Sequence, residues 1–248
     1  MNAYVALSGA VARSHVRDRI TLFFTFLFPL IFLMVFGVLF DDLPDGREAI
    51  GFLAPGVLCW AVANGAVFGV AYTLVQWRES GVLRLLRMTP TSVLTVLSSR
   101  FVVAVGVALA QTVFFVGIAV LPPLGLRLGS QAVFALPVVL CGVMAFFAIG
   151  MVIGSHGTSS EAIAAIANFL LVPMAFLSGT FYPLDQAPGW LQGVAKVLPL
   201  HYMIEGTSGV LTGTDGPQST VLPCLALLGF TLLMVGFAAK LFRWSKDA

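Results

Sequence analysis

Four sets of side chains in this sequence could take part in chemistry, and three of them assemble nothing. His15, His156 and His201 could serve as acid–base groups or metal ligands, but they lie in segments that the apolar runs keep apart. Cys59, Cys141 and Cys224 all sit inside apolar runs. An odd number of cysteines at unrelated spacings makes neither a disulfide framework nor a zinc site, so they read as buried, inert thiols. No G-x-x-x-x-G-K-[ST] phosphate loop is present, and none of Lys196, Lys240 and Lys246 directly follows a glycine. The chain therefore cannot cradle a nucleoside triphosphate by itself. The fourth set is the stretch Gln76–Pro90. Val82, Leu83, Leu85 and Leu86 form an apolar stripe there, and Arg84 and Arg87, one turn apart, form a cationic edge. That pattern can dock on a partner and makes no bonds; a helix lying on a membrane surface reads the same way.

The elements that must position these residues follow from composition. Of 248 residues, 59% are hydrophobic and 10% charged, with a net charge of +2 and a mean hydropathy of +1.00. A soluble domain carries about 25% charged residues, so a cytosolic enzyme, a nucleic-acid-binding module and a disordered chain are excluded. The charges themselves delimit the spans. Uncharged gaps of 21, 29, 26, 33, 23 and 24 residues follow Arg19, Glu48, Arg100, Arg127, Glu161 and Asp215. About 20 apolar residues cross a bilayer as a helix, which predicts spans near 20–40, 51–76, 101–121, 132–154, 162–182 and 219–240. Barrel strands would alternate polar and apolar residues, and these gaps do not. The predicted class is an all-α membrane protein, one transmembrane domain over 1–248 in contact with the lipid bilayer.

Between Asp185 and Asp215 the sequence is apolar but broken by Lys196, Glu205, Pro188 and Pro199. Pieces of ten to thirteen residues reach only half-way through a bilayer, which predicts an external re-entrant helical hairpin over 183–215. A plain external loop resting on the headgroups is the alternative. Ten of the thirteen Lys and Arg residues fall on one side if the amino terminus is cytoplasmic: Arg13, Arg17, Arg19, Arg78, Arg84, Arg87, Arg100, Lys240, Arg243 and Lys246. Only Arg47, Arg127 and Lys196 fall outside, so both termini are expected in the cytoplasm. The first apolar run is about twice a signal-peptide core and no small-x-small site follows it, so it reads as an uncleaved span. Residues 1–19 read as a basic interfacial helix. Thr89-Pro90 reads as a cap and first helical residue, starting a helix toward Arg100. Glu161 after Ser159-Ser160 reads as a helix N-terminal carboxylate.

Two motifs carry a family resemblance. Arg78 to Pro90 reads R-E-x-G-x-L-x-x-L-x-x-T-P. The second block contains Leu177-Ser178-Gly179-Thr180-Phe181-Tyr182-Pro183, Pro188, Trp190-Leu191 and Pro199-Leu200-His201-Tyr202, and ends near Glu205. Together they resemble the type-2 ABC transporter permease family. Arg17-Asp18 before the first span and Pro29 within it also fit; where family members often carry arginine three residues after the glutamate, this chain has Ser208. The resemblance implies a non-enzymatic permease subunit of an ATP-driven exporter. ATP and Mg would belong to a separate cytoplasmic ATPase, and a second permease chain, identical or sister, would complete the pair. It further implies a coupling loop over 78–99, whose helix contacts the ATPase through Arg78, Glu79, Gly81, Leu83, Leu86 and Arg87. In the external hairpin the motif residues are Ser178, Gly179, Tyr182, Pro183, Pro199, Tyr202 and Glu205.

Such a pair would enclose a route lined by spans one, two and five, with Phe28, Asn64, Phe68, Tyr72, Asn168, Phe169 and Phe176 as candidate lining. Intramembrane asparagines equally fit interhelical bonding. Aromatic lining suits a hydrophobic drug, antibiotic or lipid-like cargo, with polysaccharide or glycolipid export as the alternative. An ion-coupled carrier would need internal repeats and paired intramembrane carboxylates, and the sequence has neither. No nucleic-acid partner is expected. The implied location is the cytoplasmic (inner) membrane of a bacterium.

Overall fold

A computed structural model describes residues 18–40, 46–80, 93–122 and 124–241, together with Gly9 and Arg13 as isolated positions. The regular elements among the described residues are helical. Six helical stretches have the length and apolarity to cross a membrane. The first begins as α1 (Arg19–Leu22), passes through a π-helical turn (Phe23–Leu27) and continues as α2 (Phe28–Phe40). The others are α3 (Gly46–Glu79), α4 (Val93–Ala119), α5 (Ala135–His156, preceded by a 3₁₀ turn from Ala132), α6 (Ser160–Leu177) and α9 (Val221–Leu241). Two short helices, α7 (Gly189–Ala195) and α8 (Pro199–Thr212), lie between α6 and α9. The interfacial helix over 1–19 and the amphipathic helix with its Thr89-Pro90 corner lie outside the described residues, apart from Gly9, Arg13, Asp18, Arg19 and Arg78–Ser80.

Local chemistry sets the helix ends. Asp18 caps the first span, accepting from the backbone N–H groups of Ile20 at 3.1 Å and Thr21 at 3.2 Å; a carboxylate suits a helix N-terminus. Ser159 caps α6, its Oγ accepting from Ala162 N at 3.2 Å, which puts Glu161 in the first turn as expected. The fifth span ends five residues short of the predicted 182. Ser178 closes the helix, and Gly179 takes φ +79°, a left-handed conformation in which glycine avoids the Cβ penalty. The second span is longer than its uncharged gap, because Arg47, Glu48, Arg78 and Glu79 continue the helix at its two ends.

The core is built on α3 and α5. Buried residues make up 72% of the most apolar window of α3 and 56% of that of α5, against 22–28% for the other four spans. Small residues permit the close approach. A methyl group on Gly150 would lie 2.6 Å from the Val67 carbonyl oxygen, and one on Gly154 would lie 3.0 Å from Ala71 Cα. Gly150-x-x-x-Gly154 thus seats α5 directly on the α3 backbone, the small-xxx-small solution to packing in lipid.

Helix α8 packs against α3, α5 and α9. Cys59 Sγ donates to the Met203 carbonyl at 3.4 Å, Met203 lies against Gly142, and Gly206 approaches Pro223 and Val138. Gly142 is seven residues inside α5, about 10 Å along the axis. At its other end α8 meets the α4–α5 connection, where Gly129 N donates to Leu211 O at 2.9 Å. The helix therefore packs beside α3 and α5 through Met203 and meets the α4–α5 connection at its last turn.

Candidate functional site

Two anchor points fix how α3 and α6 lie together. At one end Gly56 sits against the Thr180 backbone; an added Cβ would meet its carbonyl oxygen at 2.5 Å. At the other, Arg78 reaches the Gly157 carbonyl at 2.7 Å. The antiparallel register between them puts Trp60 level with Phe176 and Phe68 level with Asn168, since both helices rise equally per residue.

The predicted lining residues fall on this pair and on α2. Phe68 and Tyr72 stack with ring centroids 5.4 Å apart and planes 22° from parallel. Asn64 is half-buried and its Nδ2 donates to the Trp60 carbonyl of its own helix at 2.8 Å. On α6, Asn168 is exposed, Phe169 is 84% exposed and Phe176 is 55% exposed; Phe28 on α2 is 38% exposed. These four share the outward faces of the first and fifth spans, where Ile31, Val35, Val38, Ile166 and Val172 are exposed too.

Sequence reasoning missed the aromatic cluster that joins these faces at the Thr180 end. Phe181 lies 5.5 Å from Phe32, 6.1 Å from Trp60 and 5.0 Å from Phe176 between ring centroids. Trp60 Nε1 is buried with no hydrogen-bond partner among the described residues. Phe181 was visible inside the second motif; Phe32 and Trp60 had no signal beyond their apolar type. Gln111 was also missed. It is buried in α4, and its Nε2 donates to the Thr25 carbonyl in the π turn at 2.7 Å, meeting a backbone acceptor that the widened turn presents.

The hairpin-motif residues gather beside this cluster. Ser178, Gly179 and Thr180 are buried in the turn after α6, and the Tyr182 hydroxyl donates back to Phe176 O. Pro183 is exposed and leads into a 3₁₀ turn; Pro199 occupies the first position of α8. The Tyr202 hydroxyl donates to Lys196 O at 2.8 Å, closing α7 onto α8. Glu205 is exposed, with its Oε2 3.6 Å from His201 Nε2. Burial pushes the His201 pKa below its ordinary value, Glu205 opposes that shift and Lys196 adds to it.

At the opposite end Arg78 turns toward α5. Its guanidinium donates to Gly157 O, to Ser155 O at 3.0 Å and to Gly154 O at 3.2 Å. Arg100 stacks over Trp77, 5.4 Å from the ring centroid. Glu79 ends α3 exposed. Gly81, Leu83, Leu86 and Arg87 lie outside the described residues.

The six apolar helices, with α3 and α5 at the core and the other four around them, define a multi-pass membrane protein. Comparison with known proteins specifies which kind. Residues 3–212 match the ABC-2 type transporter family, and the chain belongs to it, as a transport permease subunit. It is 27% identical over 214 residues to Nodulation protein J of Rhizobium meliloti (82% of this chain, 80% of the relative). Over 205 residues it is 30% identical to the putative transport permease ycf38 of Cyanophora paradoxa (76% and 67%). Over 211 residues it is 26% identical to the inner membrane transport permease YadH of Escherichia coli K12 (80% of each).

Proposed function

We propose that this chain is the passive gate of an ATP-driven exporter, paired with a second permease chain and moved by a separate cytoplasmic ATPase that holds ATP and Mg. The observation that carries the reading is the outward face of α6, where Asn168 stands exposed beside the 84% exposed Phe169. A polar amide in mid-span is costly against lipid tails. A second copy, or the wet route between two copies, gives that amide the partners lipid lacks. Phe28, Phe68, Tyr72, Phe169 and Phe176 would then line the route, with Phe32, Trp60 and Phe181 closing its outer end. So aromatic a lining favours a hydrophobic drug, antibiotic or lipid-like cargo over a polysaccharide, whose hydroxyls need polar partners.

Several finer features rest on the same reading. The descent of α8 to the level of Gly142 supports a re-entrant hairpin, since its broken backbone is covered by α3, α5 and α9. Lys and Arg asymmetry supports cytoplasmic termini, and the inner-membrane location named for YadH supports the same membrane here. The amphipathic stripe of Leu83 and Leu86 is the segment offered to the ATPase, with Glu79, Gly81 and Arg87 around it. Chain 1–248 acts as one permease domain.

The pairing is tested by placing Asn168→Cys in the full-length protein and adding a short bifunctional thiol reagent in native membranes. A covalent dimer is expected, and none from Val221→Cys on the exposed face of α9. Cross-linking at 221 and not at 168 would contradict the proposed interface.

A further inference from the structure

Helix α5 ends at His156, and its last carbonyls have no intrahelical donors. Arg78, 76 to 79 residues away in sequence, bonds to three carbonyls in this region, at 2.7 Å (Gly157), 3.0 Å (Ser155) and 3.2 Å (Gly154). A cation at a helix C-terminus is favoured by both the dipole and the free acceptors. The surrounding packing makes the corner stiff. Gly154 is pressed on Ala71 and Leu74 of α3, Gly157 lies against Ile163 of α6, and Ser159 caps α6 two residues later. The arginine that opens the first motif is thus tied to the α5–α6 turn, and the chain leaves α3 for the Leu83–Leu86 segment immediately beyond it.

We infer that Arg78 is a mechanical tie: force delivered to the segment after Ser80 passes through this guanidinium into the α5–α6 turn and moves α6 together with α3. The inference deepens the driven-gate reading and rests on it. Arginine suits the task because its planar fork satisfies several carbonyls at once, whereas lysine offers a compact point charge. Arg78 is a positioning residue on this inference: its guanidinium is committed to the Gly154, Ser155 and Gly157 carbonyls, so it acts through the turn and leaves the ATPase-contact set that the motif resemblance implied.

The test uses the permease purified with its ATPase subunit and carrying Asn168→Cys. With Arg78 in place, ATP plus vanadate is expected to change the rate of cross-linking at position 168 severalfold. In Arg78→Ala the ATPase should still co-purify and hydrolyse ATP, while the cross-linking rate no longer responds to nucleotide; Arg78→Lys should recover part of the response. A full response in Arg78→Ala, or loss of the ATPase from that variant, would overturn the tie. The tie also has a readout in the permease alone. Nitroxides at positions 80 and 158 should give a narrow distance distribution with Arg78 and a broad one with alanine, and equal widths would overturn the inference. An intact complex in which Arg78 narrows that distribution but nucleotide changes nothing at position 168 would sink the driven-gate reading, and with it the transmission assigned to Arg78.

Discussion

Replacing both Leu83 and Leu86 by aspartate is expected to separate the permease from its ATPase while leaving the helical bundle folded. Each leucine buried at a partner is worth about 1.5–3 kcal/mol. Losing both weakens binding by roughly 10²- to 10⁴-fold, and the two unpaired carboxylates add to the loss when forced into an apolar cleft. The bundle has no stake in these side chains if they face a partner, so its melting midpoint in detergent should stay unchanged. Affinity purification of the permease followed by quantitation of the ATPase measures the effect. A variant that retains stoichiometric ATPase would show that the stripe lies on the membrane surface instead.

The largest effect on stability is expected at Gly150. An added Cβ would meet Val67 Cα at 2.9 Å and its carbonyl oxygen at 2.6 Å, and backbone atoms in the central helix cannot swing aside as a side-chain tip can. Gly150→Leu therefore forces α5 away from α3 along the interface that organises the core. The cost should reach about 3 kcal/mol, the upper part of the range for overpacked sites. Gly236→Leu is the control, because a Cβ on Gly236 of α9 has open space around it. Thermal unfolding followed by size-exclusion chromatography should show a large drop for the first variant and little change for the second. Equal midpoints would mean that α3 and α5 are not locked at this point.

The spans were legible in the sequence because bilayer thickness dictates how long a stretch must go without charge. Helix ends were less so. Arg78 and Glu79 belong to α3 although they interrupt the uncharged gap, since charged residues are tolerated where a helix leaves the hydrocarbon. Ser178 and Gly179 lie inside an uncharged gap although α6 stops at Leu177; Ser178-Gly179 is a readable stop signal that apolarity concealed. Gly150-x-x-x-Gly154 was equally readable as a packing motif. The bonds of Arg78 and Gln111 were not. Their acceptors are backbone carbonyls at Gly154, Ser155, Gly157 and Thr25, and a carbonyl leaves no mark in residue identity. The same holds for the packing of α8, whose place depends on Gly142 and Cys59 in two other helices.

Whether this protein is moved by a motor or moves its cargo unaided is decided most directly in sealed vesicles. Purified permease, with and without its ATPase subunit, would be reconstituted and challenged with a panel of fluorescent amphiphiles. The account predicts accumulation of at least one dye only when both subunits and ATP are present, with vanadate stopping it. Concentrative uptake by the permease alone, driven by an imposed ion gradient and indifferent to ATP, would contradict it.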